Sequence, residues 1–348
     1  MKRVFVGLSG GVDSAASAAL LKEQGYDVVG AFIKIWRPEF IECPWQKERL
    51  DAMRICAHLG IPFKEIDLSD EYKKSVIDDM VGNYKKGITP NPDILCNRSI
   101  KFGAFKKWAL SEGADLIATG HYARIEEKDG RYSLMRGRDA NKDQSYFLSR
   151  LSEQDLSRSL FPVGGYTKPE VRILAEKFRL PVAQKRDSQG LCFVGDVSMR
   201  DFLSRYITLA KGNVIDEGGN MIGEHDGAAL YTLGERHGFR LTITTPHESP
   251  RFVTNIDTKS NTITVSQKRE TAEREDVRLT DVTWIQDPAM PLACTAQARY
   301  RETPIVCHVT ENKGKYTAHF EKPHLAPPGQ SLVFFEGDRL LGAGIITR

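Results

Sequence analysis

The chain has 348 residues, of which 41% are hydrophobic and 27% are charged, and its formal net charge at pH 7 is +3. This composition is typical of a globular protein of two or three domains and excludes a disordered or low-complexity chain. No apolar run approaches the roughly 20 residues that span a bilayer, and Met1-Lys2-Arg3 leads directly into a β-like run with no targeting segment. We therefore expect a cytoplasmic protein with no membrane partner.

The first fifteen residues combine a β-like run, Val4-Phe5-Val6, with a glycine-rich loop and an alanine-rich helix. Such a unit binds phosphate, because backbone N–H groups and the helix dipole point at the anion. The loop lacks the sequence patterns of a Walker A loop and of a dinucleotide-binding loop. Its Ser-Gly-Gly-x-Asp-Ser sequence resembles the PP-loop of the ATP pyrophosphatases. That resemblance implies ATP-binding residues at Gly7, Leu8, Ser9, Gly10, Gly11, Val12, Asp13 and Ser14. An ordinary strand–turn–helix is the alternative.

Strand-like and helix-like segments alternate over the first 120 residues or so. Strands are predicted at 27–33, 61–66 and 115–119, and helices at 15–24, 45–59, 69–86 and 98–111. This alternation predicts an α/β fold with a doubly wound parallel sheet. Ligands of such sheets lie at the carboxyl ends of the strands, so we expect Ile33 and Gly120 to line the adenosine pocket beside the loop.

After residue 122 the pattern changes. A hairpin is predicted at 123–135 and short helices at 152–160 and 168–178, and from about residue 213 β-branched and polar residues alternate between Gly and Asp turns. We predict a catalytic domain at 1–208 with a helical excursion at about 152–184. A small β-rich linking domain at 209–274 and a C-terminal antiparallel β-barrel at 275–348 follow.

The chain has six cysteines and no C-x-x-C pair, and two of the six have informative neighbours. We expect Asn97 to cap a helix starting at Arg98, which would place Cys96 beside its positive end and favour the thiolate. Asp93 could move a proton in the same pocket. Cys192 is bracketed by glycines and is expected on a bend or mobile loop. A structural role for either thiol stays open on this local pattern.

Short blocks follow one another in a fixed order along nearly the whole chain. They are Gly-Leu-Ser-Gly-Gly-Val-Asp-Ser at 7–14, Asn-Pro-Asp-Ile-Leu-Cys-Asn at 91–97, Ala-Thr-Gly-His-Tyr at 118–122, Lys-Asp-Gln-Ser-Tyr-Phe-Leu at 142–148, Asp-Ser-Gln-Gly-Leu-Cys-Phe at 187–193, Ile-Gly-Glu-His at 222–225, Arg-Tyr-Arg at 299–301 and Pro-Gly-Gln at 328–330. Together they resemble the tRNA-specific 2-thiouridylase family. Glu235, Arg240 and the segment 37–44 depart from the family pattern.

The resemblance implies replacement of O2 of wobble uridine 34 by sulfur, in tRNAs for Lys, Glu and Gln. In such enzymes O2 attacks the α-phosphate of ATP, with Mg²⁺ screening the phosphates. Cys192 carries a persulfide supplied by a sulfur-relay protein that a cysteine desulfurase feeds, and Cys96 resolves it as a disulfide. The resemblance implies no metal-binding residues, and we expect a monomer.

The resemblance also assigns residues to the tRNA. Asn91, Pro92 and Asp93 would contact the flipped-out target base, with Asp93 as acid or base. Further tRNA contacts are implied at His121, Lys142, Asp143, Gln144, Arg299, Tyr300 and Gln330.

Two other classes of function remain open. One is another AMP-forming PP-loop enzyme, such as a tRNA lysidine synthetase, an argininosuccinate synthase or another tRNA thiolase. Cys96 and Cys192 argue against the first two, which need no sulfur. The other is a nucleotide- or RNA-binding protein without turnover. An iron–sulfur cluster on Cys96, Cys192 and Asp93 also stays open, as does passage of sulfur as free sulfide.

Overall fold

The structure is a computed structural model that describes residues 1–40, 45–186, 197–242 and 249–347. Its first sheet is parallel throughout, as the alternating pattern predicts. The strand order is Phe63–Asp67, Asp27–Lys34, Arg3–Gly7, Leu116–Ala118 and Ser159–Leu160. The chain moves outward from the strand Arg3–Gly7 first to one side and then to the other. The strand order therefore reverses beside Gly7, which is where ligands of open α/β sheets bind.

The helices cover both faces of this sheet. Their bounds are Val12–Glu23, Trp45–Leu59, Ser69–Tyr72, Asp78–Lys85, Pro92–Cys96, Lys106–Ser111, Glu153–Leu156, Lys168–Lys177 and Met199–Ser204. Two π-helical segments, Lys73–Ile77 and Asn97–Phe105, join neighbouring α-helices. Short 3₁₀ turns lie at Ser145–Leu148, Ala228–Leu230 and Arg269–Ala272. Within the described residues, no helix is long and apolar enough to cross a membrane.

Two predicted helix bounds are wrong. The helix expected at 98–111 begins at Pro92, because Asn91 caps it by accepting a hydrogen bond from the backbone N–H of Ile94 (3.2 Å). Proline is favoured in the first turn of a helix, where its missing N–H has no partner to lose. The helix expected at 152–160 ends at Leu156, and Ser159–Leu160 instead adds an edge strand to the parallel sheet.

The linking domain contains a five-stranded sheet. Its strand order is Phe239–Leu241, Met221–His225, Gly212–Ile215, Thr262–Ser266 and Phe252–Asp257. The alternation predicts antiparallel pairing, but Gly212–Ile215 and Thr262–Ser266 run parallel. The long connection between these two strands permits the crossover that a parallel pair requires.

The C-terminal barrel is confirmed as a closed antiparallel sheet. Its order is Arg274–Trp284, Lys315–His324, Ile305–Asn312, Leu292–Gln297, Ser331–Glu336 and Arg339–Ile346, with the last strand pairing back to the first. The hairpin Ala123–Lys128 and Arg131–Arg136 extends this sheet, because Leu134 pairs with Leu340. The barrel is thereby attached to the catalytic domain by main-chain pairing.

Candidate active site

The glycine-rich loop folds over the start of the helix Val12–Glu23. The Ser9 N–H donates to Ser14 Oγ (3.3 Å), and Ser14 Oγ donates to the Gly11 carbonyl (3.2 Å). Gly11 is the N-cap and provides no side-chain cap, so the first N–H groups of the helix point toward the loop. These groups and the positive end of the helix dipole form an anion site where the sequence predicts the phosphates of ATP.

Two predicted nucleotide-site residues lie close to this loop. A Cβ added to Gly7 would lie 3.7 Å from Ile33 Cδ1, so the two residues adjoin at the sheet edge. A Cβ added to Gly120 would lie 2.7 Å from the backbone nitrogen of Ser14 and 2.8 Å from the carbonyl carbon of Asp13. There is therefore no room for a side chain at Gly120. Its absence lets the end of the strand Leu116–Ala118 approach the helix N-terminus.

Substituting Gly10 with Ala is expected to damage the loop. Gly10 has φ +69°, and an added Cβ would lie 2.6 Å from the Glu48 carbonyl oxygen. The strain of a left-handed backbone and this clash together should lower the free energy of unfolding by about 3 kcal/mol and displace the loop. Chemical denaturation and equilibrium ATP binding would measure both effects.

Gly25→Ala is the matched control, because Gly25 has φ +85° but no atom within 4 Å of an added Cβ. Backbone strain alone should lower the free energy of unfolding of this variant by about 1–2 kcal/mol, and ATP binding should stay intact. Wild-type ATP affinity in Gly10→Ala would contradict this account of the loop.

Two lysines that the sequence did not single out contact residues 7–14, the glycine-rich loop that is predicted to bind ATP and is called the ATP loop below. Lys168 Nζ lies 2.7 Å and 2.9 Å from the two carboxylate oxygens of Asp13, which also accepts a hydrogen bond from the Tyr122 hydroxyl (2.7 Å). Lys185 Nζ donates to the Gly10 carbonyl (3.0 Å) and to Asp51 (2.8 Å). Burial opposes ionisation of Asp51, but the hydrogen bonds and charges of Lys185 and Arg54 together outweigh it and hold the pKa of this carboxyl below its ordinary value. The loop is thus held by two cations.

Cys96 lies in the second turn of the helix that begins at Pro92, with only 6% of its surface exposed. The expectation that it lies beside the positive end of a helix is therefore wrong, since dipole effects are concentrated in the first turn. Arg98, expected to start that helix, instead lies beyond Cys96, and its guanidinium pairs with Asp281 of the barrel (3.2 Å). The position of Cys96 is set by helix packing.

Asp93, Lys101 and His121 form a cluster of titratable side chains, and the first two lie on the continuous helix that carries Cys96. Burial raises the pKa of the Asp93 carboxyl, and the nearby Lys101 ammonium opposes that rise. Lys101 Nζ lies 3.4 Å from His121 Nε2, and His121 Nδ1 lies 2.7 Å from Thr119 Oγ1. Burial first, and then Lys101, hold the pKa of His121 well below its ordinary value, so the imidazole is neutral at neutral pH.

Lys101 connects the two halves of the site. It lies about two turns beyond Asp93 on the same continuous helix, and it contacts His121, which follows Gly120 at the ATP-loop edge. The sequence alone does not reveal Lys101, because the pattern Ser-Ile-Lys-Phe at 99–102 is typical of the surface of an ordinary amphipathic helix. Lys101 lies in the π-helical segment Asn97–Phe105, and π-helical segments are frequent at functional sites. This feature can be recognised only in the structure.

Two of the residues predicted to contact tRNA make internal hydrogen bonds. Asp143 is buried and accepts hydrogen bonds from the Arg136 guanidinium (3.0 Å) and the Gly137 N–H (2.9 Å). Gln144 Oε1 accepts from the Tyr122 N–H (3.0 Å) and so supports the strand end that carries Gly120. The turn beginning at Lys142 is thereby fixed against the ATP-loop edge.

The three barrel residues predicted to contact tRNA all reach other domains. Arg299 Nη2 donates to the Leu233 carbonyl (2.7 Å). The centroid of the Tyr300 ring lies 4.4 Å from that of the Phe147 ring. Gln330 Nε2 donates to the carbonyl of Thr89 (2.7 Å), just before the helix Pro92–Cys96, which we call the thiol helix. The structure therefore brings Tyr300 and Gln330 to the catalytic domain and Arg299 to the linking domain.

Cys192 lies in the segment 187–196, outside the described residues, and its pairing with Cys96 stays a prediction. Cys56, Cys294 and Cys307 are free cysteines of the described ranges. The same ranges contain no cluster of three or more His, Cys, Asp or Glu side chains that could hold a metal ion.

Comparison with known proteins covers the whole chain. Three family models match in order: a tRNA methyl transferase HUP domain at residues 2–196, a tRNA methyl transferase PRC-barrel domain at 200–267 and an aminomethyltransferase beta-barrel domain at 274–346. The tRNA-specific 2-thiouridylase MnmA of Enterococcus faecalis is 42% identical over 356 residues, covering 99% of this chain and 95% of that protein. This chain belongs to the tRNA-specific 2-thiouridylase family.

A second member of the family, from Proteus mirabilis, is 45% identical over 355 residues, covering 99% of this chain and 97% of that protein. Among solved structures, the U34-tRNA thiolase NcsA of Methanococcus maripaludis has 21% identity and a TM-score of 0.37, and the match covers 59% of this chain and 64% of that one. That likeness is too distant to support an argument. Family membership rests on the full-length relatives.

Proposed function

We propose that the protein is a tRNA-uridine 2-sulfurtransferase that replaces O2 of wobble uridine 34 with sulfur, using ATP. The expected substrates are tRNAs for Lys, Glu and Gln. The observation that carries the proposal is the contact between Lys101 and His121, because it joins the helix of Asp93 and Cys96 to the edge of the ATP loop. Relatives that match 99% of the chain bear the 2-thiouridylase name.

The ATP loop supplies the activation step. O2 of uridine is a poor leaving group, so the oxygen attacks the α-phosphate of ATP and pyrophosphate departs. The helix N-terminus behind Ser9 and Ser14 binds the phosphates. Asp13 would hold Mg²⁺ once Lys168 turns from it to the phosphates, and the ion would neutralise phosphate charge. Lys168, now paired with Asp13, is a further cation for the same phosphates.

Asp93 and the two thiols supply the exchange step. The raised pKa of Asp93 suits a group that takes the proton from uridine N3 and returns it. In the direct path the outer sulfur of a Cys192 persulfide attacks C2 and AMP leaves; Cys96 then attacks the inner sulfur, which breaks the S–S bond and leaves the outer sulfur on C2. In the sulfide path Cys96 attacks the inner sulfur first, and the released hydrosulfide attacks C2 and displaces AMP. Both paths end in a Cys96–Cys192 disulfide, which an external thiol reduces.

The partners follow from this chemistry. The target base must leave the anticodon stack to reach the partly buried Asp93, and Asn91, Pro92 and Asp93 would receive the flipped base. The persulfide requires a sulfur-relay protein fed by a cysteine desulfurase. We propose that the protein acts as a monomer in the cytoplasm.

The test supplies unmodified tRNA, ATP with Mg²⁺ and either sulfide or a persulfide donor, and then digests the tRNA for mass spectrometry. The expected product is 2-thiouridine at position 34, with tRNA-dependent release of pyrophosphate from labelled ATP. Release of pyrophosphate without sulfur incorporation would indicate another AMP-forming PP-loop enzyme. Formation of ADP, or binding without turnover, would overturn the proposal.

A further inference from the structure

We infer that Gln330 is a positioning residue that holds the thiol helix for catalysis, which makes the C-terminal barrel a structural part of the active site. Gln330 Nε2 donates to the carbonyl of Thr89 (2.7 Å) and lies 3.4 Å from the carbonyl of Pro90. These residues directly precede Asn91, the N-cap of the helix that carries Asp93 and Cys96. The inference rests on the proposed function.

The sequence explains why this segment needs an external donor. Pro90 and Pro92 have no backbone N–H, so the segment between residues 88 and 92 has few donors of its own. Buried or partly buried carbonyls cost free energy when they stay unpaired. The Gln330 amide supplies the missing donor from a different domain.

Gly329, which precedes Gln330, lets the barrel loop approach residues 88–89 closely. Gly329 has φ +90°, and an added Cβ would lie 2.3 Å from Ile88 Cγ2 and 2.9 Å from the Thr89 carbonyl oxygen. The barrel loop therefore lies directly on the backbone of residues 88–89. The linking domain holds the same residue, since Thr232 Oγ1 lies 2.8 Å from Thr89 Oγ1.

A second barrel residue holds the helix farther along. Asp281 accepts from Arg98 (3.2 Å), two residues beyond Cys96, and lies 2.6 Å from Nη2 of the buried Arg150. The thiol helix is thus attached to the barrel both before its N-cap and just after its thiol. Both attachments are polar and directional, so they fix position as well as distance.

Positioning and tRNA contact make different predictions for Gln330. The amide donor is already used within the protein, so its loss should move Asn91 and Asp93 relative to the target base. Misplacement of a reacting group by about 1 Å lowers turnover by up to about 100-fold. A residue that only contacts tRNA would instead weaken tRNA binding and leave turnover of bound tRNA unchanged.

The experiment compares Gln330→Met and Gln330→Glu with wild type. Both variants keep the length of the side chain and remove the donor, and the Met variant adds no charge that could repel RNA. We expect kcat to fall about tenfold in both, with KM for tRNA within about twofold of wild type in the Met variant. Glu321→Gln, an exposed barrel position, is the matched control and should leave both constants unchanged.

An activity-independent measurement separates this inference from the proposed function. Amide hydrogen exchange of residues 91–97 in the free protein should be faster in Gln330→Met than in wild type, with the melting temperature of the barrel unchanged. A raised KM with unchanged kcat and unchanged exchange would show a tRNA contact and overturn the inference, as would no change at all. Absence of 2-thiouridine from wild type would defeat the proposed function, while the exchange result would still decide the role of Gln330.

Discussion

Replacing Cys96 with Ser is expected to abolish persulfide-driven thiolation, by at least about 10³-fold, because the hydroxyl cannot resolve a persulfide. The side chain is 6% exposed and sits in the second turn of a helix capped by Asn91. Ser differs from Cys by one atom, so the fold should survive. Mass spectrometry of digested tRNA measures the loss, and pyrophosphate release should persist because the ATP loop is untouched.

Cys56→Ser is the control for this experiment. Cys56 is also buried on a helix, and burial raises the pKa of its thiol to about 11, so it is a packing residue. Burying a hydroxyl in its place should cost about 1–3 kcal/mol and leave turnover of the folded protein unchanged. Full thiolation by Cys96→Ser with the persulfide donor would show that another group resolves the persulfide.

The parallel sheet could be predicted because its three inner strands are largely apolar runs with a turn signal after each. Val4, Phe5 and Val6 are buried on both faces of the sheet, as such a run requires. The edge strand Ser159–Leu160 could not be predicted, because two residues carry no period. The predicted helix start at Arg98 is wrong because proline, which breaks a helix interior, also fits the first turn of a helix, where Pro92 lies.

Long-range contacts account for most of what the sequence did not reveal at the site. Lys168 and Lys185 reach Asp13 and Gly10 across more than a hundred residues of chain. Each lysine alone resembles an ordinary surface cation, and only the tertiary fold brings it to the loop. The loop itself was found because its chemistry is local: glycines and a helix N-terminus within a few residues.

The same reasoning applies to the barrel. The resemblance implies that Gln330 contacts tRNA, and the structure shows its amide on the Thr89 carbonyl. The hairpin that pairs with the barrel strand Arg339–Ile346 was predicted as a hairpin, but its partner was not. Pairing between domains leaves no periodic signal in either segment.

Replacing Lys101 with Met is expected to lower the rate of thiolation about 100-fold, the typical cost of removing one charged stabiliser from an enclosed site. The ammonium lies 3.4 Å from His121 Nε2 and opposes the rise in pKa of Asp93. Without this cation the pKa of Asp93 rises further. Activity that needs the ionised carboxylate must then start at a higher pH, so the acid limb of the profile of kcat/KM against pH moves upward.

Two variants make the interpretation specific. Lys101→Arg keeps the positive charge and should return the acid limb toward its wild-type position, even where altered geometry keeps the rate low. Lys107→Met removes an exposed lysine from the same continuous helix and should change neither the rate nor the profile. His121 also loses a cation that lowers its pKa, but its burial remains the larger cause, so the imidazole stays neutral and adds no new limb near pH 7. An acid limb that stays in place in Lys101→Met would show that Asp93 is not the titrating group.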